Sequence, residues 1–392
     1  MPLRPLVLLT TLLHAYIGLR LLPALAGLPL AGPLLGLALL VSAVTMPLPF
    51  VGMRSRRRQF ADVWKWIGLI SMGWFSSLLV LTVVRDAGLL LGWLGASVSG
   101  LTLDGARWQL WSAAAVPLLA SATSLVGLLN ARRTAGVVRI DVPIRDLPSA
   151  LSGFTIAQLS DIHVGPTIKR GYIQRIVNAV NGLGADMIAI TGDLVDGTVA
   201  ELRDHIAPLQ QLKARHGTFV VTGNHEYYAG AHAWIDELRR LGLRVLLNEH
   251  VVLQTRNVKG AQTDEEVLES ALLVAGVTDY TAGHFDAAHA SDPHGALADA
   301  PPLVHTRVLL AHQPRSAPEA AEAGYHLQLS GHTHGGQFFP WNLFVPLQQP
   351  FTAGLHKLHE MWVYTSRGTG YWGPPKRFGA PSEITLLRLL RA

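Results

Sequence analysis

Aspartate, asparagine and histidine residues recur directly after short apolar segments in the second half of the chain. They form five groups in chain order: Asp161 with His163, then Asp193, Asn224, His312, and His332 with His334. A single histidine in a loop is usually a surface residue, but five junctions with the same chemistry indicate one site. Three oxygen donors and four imidazoles suit Mn, Fe, Zn or Ni rather than an all-oxygen Ca or Mg site.

The number and spacing of these residues predict a site for two cations. In an extended segment, alternate residues point to the same side, so Asp161 and His163 can converge, as can His332 and His334. Only a carboxylate readily bridges two cations about 3.5–4 Å apart, and Asp193 lies centrally in the set. Glycines beside the groups allow sharp turns there: Gly192, Gly223, Gly331, Gly335 and Gly336.

Strand-type and helix-type segments alternate around these groups. Strands are expected at 154–159, 187–191 and 218–222, and helices near 169–182, 200–214 and 231–241. This alternation predicts an α/β fold with parallel strands, whose carboxyl ends lie at one edge of the sheet. The later expected elements are strands at 244–247, 251–254, 271–277, 306–311, 326–330, 361–365 and 383–389, a helix at 315–323, and surface insertions at 256–270 and 279–304.

The first third of the chain has the composition of a membrane anchor. Residues 1–134 contain 11 Lys and Arg against 3 Asp and Glu, whereas 135–392 contain 21 against 24. Uncharged or nearly uncharged runs there are long enough to cross a hydrocarbon core of about 30 Å. We therefore expect four transmembrane spans near 4–22, 32–52, 66–84 and 108–131 within an anchor at 1–133, a linker at 134–150 and a globular domain at 151–392.

Arginines in the short loops predict the topology. Four arginines lie within 54–58, between the second and third spans, and Arg132 and Arg133 follow the fourth. Four spans put both clusters on one side, which the positive-inside rule makes cytoplasmic, together with the globular domain. Segment 87–103 is uncharged as well, and if it spanned the bilayer the globular domain would lie on the other face.

The motif series resembles that of the calcineurin-like metallophosphoesterases. The matching motifs occur in the family's order: Asp161-x-His163, Gly192-Asp193, Gly223-Asn-His-Glu226, His312 and Gly331-His-x-His334. The segments Gly331–Gln337 and Ser366–Gly370 are further similar to the bacterial membrane-associated branch. The resemblance implies a four-layer α/β sandwich around a dinuclear centre that activates water for attack on a phosphoester.

The resemblance also implies residue roles. It assigns one cation to Asp161, His163, Asp193 and His334, and the other to Asp193, Asn224, His312 and His332. It gives His225 the role of contacting the phosphoryl group and assisting the leaving group. The alternative for His225 is a histidine that orients Asp161, and Asp196 and Glu226 are expected to accept hydrogen bonds from ligand imidazoles.

These features favour a membrane-anchored hydrolase of a phosphodiester or pyrophosphate with two divalent cofactor ions. The expected partners are the lipid bilayer and a phosphoester, and a lipid-linked ester is favoured because the anchor holds the domain near the headgroups. The alternatives are hydrolysis of soluble phosphoesters and an inactive scaffold or sensor, although none of the seven ligands is missing. No nucleic acid is expected, because the positive charge lies in the anchor.

Other motifs and side chains bear on the function class and the substrate. A zinc peptidase motif His-Glu-x-x-His is excluded because Ala229 occupies its last position, and the sequence has no P-loop. Aromatic residues near the last histidines favour a lipid if they face the site, and the same run is compatible with core or a membrane-contacting rim: Phe338, Phe339, Trp341, Phe344 and Phe351. Further residues for the substrate cleft, whose direction the sequence leaves open, are Tyr227, Tyr228 and Arg367.

Overall fold

The computed structural model describes residues 3–49, 58–100, 104–254 and 263–392. It divides into a unit of Met1–Leu129 with Gly373–Phe378 and a unit of Asn130–Trp372 with Gly379–Ala392. The first is helical and the second contains the predicted ligands. Arginines 54, 56 and 57, on which the predicted topology depends, lie outside the described residues.

The described part of the first unit is formed mainly by four apolar helices: α1 Leu3–Leu21, α2 Ala31–Thr45, α3 Arg58–Ser99 and α4 Gly105–Arg132. Among the residues that the structure describes, three segments are long and apolar enough to cross a bilayer, namely Arg4–Leu25, Asp62–Ser99 and Gly105–Arg132. Helix α2 has 15 residues, which at 1.5 Å per residue is about 22 Å. It ends before Pro47 and Pro49, which cannot continue a helix. The four-span arrangement stays a prediction.

Helix α3 differs from the expected span at 66–84. It continues for 42 residues without a break, so 87–99 prolong the same helix. A charged side chain in its second half is paired within the unit: Asp86 accepts hydrogen bonds from the Tyr16 hydroxyl and from Arg20 Nε, both at 2.7 Å. Such pairing lowers the cost of polar groups among apolar helices.

The segment Gly373–Phe378 belongs to the helical unit although it comes from the far end of the chain. Lys376 is buried there and its ammonium donates to the Gly73 carbonyl at 3.1 Å and to Ser124 Oγ at 3.0 Å. A Cβ on Gly127 would lie 2.6 Å from Lys376 Cγ, so the glycine makes room for the lysine. These hydrogen bonds compensate the burial of the ammonium.

The second unit contains two six-stranded sheets within the described residues. The strands are β1 Gly136–Ile144, β2 Thr155–Leu159, β3 Met187–Thr191, β4 Thr218–Val221, β5 Arg244–Val245, β6 Glu249–Leu253, β7 Leu272–Gly276, β8 Thr306–Leu310, β9 Leu327–Ser330, β10 Gly354–Leu358, β11 Met361–Thr365 and β12 Glu383–Arg391. One sheet has the order β1-β12-β2-β3-β4-β5 and the other β10-β11-β9-β8-β7-β6. Strands β2 to β5 are parallel, as are β7, β8, β9 and β11.

Helices cover the outer faces of both sheets. They are α5 Arg170–Asn181, α6 Val199–Ile206, α7 Asn224–Ala229, α8 Ala231–Arg240, α9 Asp264–Glu269 and α10 Ala317–Glu322. One core joins residues such as Ile188 of β3 to α5 and α8, and another joins β7 and β8 to α10. The core between the sheets contains Met187 and Phe219 from one and Val274 and Leu310 from the other. The expected four-layer α/β sandwich is confirmed.

Several elements differ from the sequence expectation. Residues 136–144, assigned to a linker, form β1, which pairs in parallel with β12 from Gly136 opposite Glu383 onward. Strand β1 contains Pro143 and lies at the sheet edge, where proline is tolerated. Strand β10 and helix α7 were not expected, and α9 lies within the insertion expected at 256–270, of which 256–262 are outside the described residues. Segment 279–304 contains three short 3₁₀ turns.

Candidate metal centre

The predicted ligands follow the carboxyl ends of five parallel strands. The loops after β2 and β3 carry Asp161, His163 and Asp193, and Asn224 is the first residue of α7, which follows β4. The loops after β8 and β9 carry His312, His332 and His334. Parallel strands bring these loops to one edge of each sheet. Six of the seven side chains are buried and His332 is half-buried.

Two triads of ligand atoms that share no residue form in this region, and a third, His163, Asp193 and His225, overlaps both. Asp161, His163 and His334 offer one ligand atom each, all within 4.8 Å of one another. His163 Nε2 lies 3.0 Å from His334 Nε2, which lies 3.6 Å from Asp161 Oδ1. Ligand atoms on one tetrahedral ion with bonds of 2.0–2.1 Å are about 3.3 Å apart, so these separations fit a shared cation.

The second triad has the same spacing. His312 Nε2 lies 3.2 Å from Asp193 Oδ2 and 3.1 Å from His332 Nδ1. His312 Nδ1 lies 2.8 Å from the Thr191 carbonyl oxygen, to which it donates in the tautomer that leaves Nε2 a lone pair. Asp193 Oδ2 is 3.8 Å from His163 Nε2 of the first triad, so this carboxylate lies between the two.

The side-chain oxygen of Asn224 also indicates a cation, independently of the two triads. Its Oδ1 is buried and has no hydrogen-bond partner among the described residues. Leaving a buried acceptor unpaired costs about 1–3 kcal/mol. A cation at this position would satisfy the oxygen, so the donor set fits the divalent metals that the resemblance implies.

The backbone at the site is strained at the proposed ligands. Positive φ angles of 52° to 69° occur at five of them: Asp161, His163, Asp193, His332 and His334. Each such residue costs about 1–3 kcal/mol and persists where the surroundings hold it. The expectation that Asp161-x-His163 and His332-x-His334 are extended is therefore wrong, and left-handed turns aim the side chains instead. The two histidines of the last motif also enter different triads.

Two glycines permit the close approach of the loops. A Cβ on Gly223 would overlap the Asp193 carboxylate and lie 2.5 Å from the Asp193 nitrogen. A Cβ on Gly331 would overlap Ser160 and the Asp161 carboxylate. Neither glycine has a positive φ. The space for a carboxylate, and not only the turn, therefore requires glycine at both positions.

Asp196 joins the first triad to His225. Its Oδ1 lies 2.8 Å from His163 Nδ1 and 2.7 Å from His225 Nδ1. The expectation that Asp196 accepts a hydrogen bond from a ligand-type imidazole agrees with this geometry. The alternative role of His225 does not, because its side chain contacts Asp196, whereas the Asp161 carboxylate accepts the His332 amide at 2.9 and 3.1 Å.

Glu226 accepts hydrogen bonds from backbone amides instead of from an imidazole. Its carboxylate accepts from the amides of Asp193 at 3.0 Å, Leu194 at 2.7 Å and Gly223 at 2.7 Å. The sequence expectation for Glu226 is therefore wrong. Glu226 is the third residue of α7 and reaches back to the residue that precedes the helix, as in a capping box. Burial, together with the charge of Asp193, raises the pKa of Glu226 to about 7.

Burial and opposite charges separate the pKa values of the site. Burial lowers the pKa of His163, but the nearby carboxylates, Asp196 first, raise it to about 9. Burial and then the charge of His312 lower the pKa of His332 to about 3. Burial raises the pKa of Asp196, yet His163 and His225 lower it to about 2. The metal-free site thus holds a proton on His163 at neutral pH, which a cation would replace.

Aromatic residues surround His225. Its ring centroid lies 5.3 Å from Tyr228 and 5.6 Å from Trp372, both exposed. Trp372 is fixed through its backbone by Gln337 in two hydrogen bonds of 2.8 Å. Sequence reasoning missed Trp372, because its glycine- and proline-rich surroundings carry no signal of proximity to residue 225.

The other two residues considered for the cleft have partners in the domain. Tyr227 is buried and its hydroxyl lies 2.8 Å from His289 Nδ1. The Arg367 guanidinium lies 3.6 Å from Glu383 Oε2. Of the three residues considered, Tyr228 is therefore the one placed beside His225.

Comparison with known proteins identifies the family. Residues 154–336 match the family model described as calcineurin-like phosphoesterase. The chain is 40% identical over 321 residues to a bovine "Transmembrane protein with metallophosphoesterase domain", covering 80% of this chain and 70% of the relative. A zebrafish protein of the same name is 38% identical over 280 residues, 70% of this chain and 62% of that protein.

A bacterial relative shows the same domain. An "Uncharacterized metallophosphoesterase" of Helicobacter pylori is 41% identical over 237 residues, which are 60% of this chain and 59% of that protein. The chain thus spans about three fifths of the zebrafish and bacterial relatives. The matched domain, the transmembrane relatives and the apolar helices agree: the chain belongs to the calcineurin-like phosphoesterase family and is a membrane-associated phosphoesterase hydrolase.

Proposed function

We propose that this protein hydrolyses a phosphodiester or pyrophosphate, lipid-linked in its natural substrate, at a dinuclear metal centre. The observation that carries the proposal is the pair of His/Asp triads with Asp193 between them. The unpartnered Asn224 Oδ1 supports a ligand role for that residue in the second set. One cation is assigned to Asp161, His163, Asp193 and His334, and the other to Asp193, Asn224, His312 and His332.

The mixture of imidazole and carboxylate ligands favours Mn, Fe or Zn. Two such ions would lower the pKa of water and neutralise the charge on the phosphoryl oxygens. The protein's own contribution is orientation: Asp196 fixes the His163 ring, and the Thr191 carbonyl fixes the His312 ring. Groups that orient ligands in this way usually contribute a factor of about 10–100 to metal affinity or activity.

His225 is proposed to assist the leaving group. Its Nδ1 is held by Asp196 at 2.7 Å, and its backbone amide donates to Asp193 Oδ1 at 2.9 Å. The ring is therefore fixed relative to the carboxylate between the two triads, and Nε2 is the nitrogen left for the substrate. As an imidazolium it would donate that proton to the departing oxygen, a contribution that is typically 10²–10⁴-fold.

The choice of a lipid-linked substrate rests on exposed apolar side chains that follow His334. They are Phe339 at 55% exposure, Trp341 at 42%, Leu343 at 63%, Phe344 at 52% and Leu347 at 80%. Phe338 is buried and Phe351 packs against the core, so these two aromatic residues belong to the domain interior. An exposed apolar run of this length fits a lipid surface. The arginine clusters support a cytoplasmic catalytic domain.

Metal-dependent turnover tests the mechanism. The detergent-purified chain would be stripped of metal and assayed with an aryl phosphodiester and an aryl phosphomonoester, with and without Mn²⁺. We expect hydrolysis of the diester that requires Mn²⁺, disappears in Asp193→Asn and persists in Asp204→Asn, whose side chain is exposed on α6. A folded protein that turns over neither ester with any divalent metal would favour the scaffold alternative.

A second comparison tests the lipid. A lipid-linked phosphodiester in mixed micelles and its water-soluble headgroup analogue would be compared in the wild type and in a Phe344→Ser, Leu347→Ser variant. We expect the variant to lose activity selectively on the lipid ester, while Val137→Ser, which changes an exposed residue of β1, leaves both activities intact. Equal turnover of the lipid-linked and soluble esters by the wild type would refute the lipid proposal.

A further inference from the structure

A second group of metal-ligand side chains lies outside the two triads. His232 is at the start of α8, and Asp286 and His289 lie in segment 279–304, more than fifty residues later. One ligand atom from each residue lies within 4.8 Å of the others. Segment 279–304 was expected to be a surface insertion, and none of the three residues is among the predicted ligands.

We propose that His232, Asp286 and His289 bind one further divalent cation, with Zn²⁺ as the best match. Two imidazoles and one carboxylate are a common zinc donor set, with water in the fourth position. His232 Nε2 lies 3.0 Å from Asp286 Oδ2, and the two imidazole centroids are 4.9 Å apart. A tetrahedral ion separates its ligand atoms by about 3.3 Å, so small side-chain rotations suffice to enclose it.

Neighbouring groups hold two of the three ligands in place. The Tyr227 hydroxyl lies 2.8 Å from His289 Nδ1, and in the tautomer in which Nδ1 donates to Tyr227 the other ring nitrogen keeps its lone pair. Asp286 Oδ1 accepts the Ala288 amide at 3.0 Å, which leaves Oδ2 directed at His232. Such outer hydrogen bonds are the usual support of protein metal ligands.

The exposure of the group indicates an exchangeable ion. The His232 side chain is 73% exposed and that of Asp286 is 33% exposed. Water therefore has access to the fourth position, and the ion can enter directly from solvent. The seven residues of the candidate metal centre are far more buried, so the two kinds of site differ in access.

An ion here would fasten segment 279–304 to the helices beside His225. Phe285, next to Asp286, packs against Tyr227 and Tyr228 with centroid distances of 5.7 and 5.6 Å. Tyr228 in turn lies 5.3 Å from His225. Binding of the ion would order the aromatic cluster of Phe285, Tyr227 and Tyr228, whether or not the proposed phosphodiesterase activity is correct.

Counting bound zinc tests the proposal. The metal-free full-length protein in detergent would be dialysed against buffered free Zn²⁺, and the bound metal measured by elemental analysis. We expect a His232→Ala, His289→Ala variant to bind one equivalent less than the wild type. His284→Ala, which removes an exposed histidine of the same segment, should bind the wild-type number. The difference is independent of how many ions the buried centre holds.

A second readout separates the site from misfolding and from the buried centre. In an Asp193→Asn background, Zn²⁺ should slow amide hydrogen exchange across 279–290. His232→Gln should raise the Zn²⁺ concentration needed for this protection at least about tenfold. His232 is exposed, so the glutamine variant is expected to keep the metal-free melting temperature of its parent. An unchanged zinc count in the double variant, or exchange that does not respond to Zn²⁺, would overturn the proposal.

Discussion

Replacing Asp196 by alanine is the most informative single perturbation of the candidate metal centre. One oxygen, Oδ1, contacts both His163 Nδ1 at 2.8 Å and His225 Nδ1 at 2.7 Å. The substitution therefore frees a proposed metal ligand and the proposed leaving-group residue at once. Because Asp196 is not itself a proposed ligand, all seven proposed ligand side chains are still present in the variant.

Two opposing effects determine how much metal affinity the substitution removes. Loss of orientation reduces metal affinity by about 10–100-fold, or roughly 1.4–2.8 kcal/mol. Against this, Asp196 is the first of the carboxylates that raise the pKa of His163 to about 9. A cation binding at pH 6.5 must displace that proton at a cost of about 3 kcal/mol, and at pH 8.5 the cost is below about 1 kcal/mol. The loss of metal affinity caused by Asp196→Ala should therefore be small at pH 6.5 and approach its full size at pH 8.5.

Calorimetric titration of Mn²⁺ into the metal-free, detergent-solubilised protein measures this deficit at both pH values. Asp204→Ala is the matched control, because Asp204 is exposed on α6. Turnover of an aryl phosphodiester at saturating Mn²⁺ then reports the contribution of His225. If Asp196→Ala binds Mn²⁺ and turns over substrate as the wild type does at pH 8.5, the inferred role of Asp196 is refuted.

Gly223, His163 and His225 of the same site can each be tested separately. Gly223→Ala should displace the Asp193 carboxylate and lower metal affinity at least about tenfold. Gly171→Ala is the control, because a Cβ there would meet nothing within 4 Å, and it should leave metal affinity unchanged. Elemental analysis of bound metal measures both variants. The pKa of His163 is about 9 in the folded metal-free protein and 6.5 in the unfolded chain. The free energy of unfolding of the metal-free protein should therefore fall by up to about 3 kcal/mol as pH rises from 6.5 through 9. The melting temperature should fall over the same range, and Mn²⁺ should remove this pH dependence. His225→Asn should slow diesters with poor leaving groups by about 10²-fold or more and those with good leaving groups much less; an equal effect on both in steady-state kinetics contradicts the leaving-group role.

The sequence determined which residues meet and which elements carry them. Short apolar runs that end in Asp161-x-His163, Gly192-Asp193 or Gly331-His-x-His334 are local patterns, and the carboxyl ends of parallel strands share an edge by geometry alone. The apolar runs of the first third likewise predicted helices from length and composition. Neighbours along the chain provide the information for these local features.

Only the tertiary structure decided how the side chains are aimed and which distant groups support them. Asp196 contacts His163 and His225, which are 33 and 29 residues away, while Glu226 binds backbone amides rather than an imidazole. Strand β1 has its partner at the other end of the chain, in β12. These outcomes depend on sheet order and on loops held at positive φ, which arise from packing of the whole domain and leave little trace in local spacing.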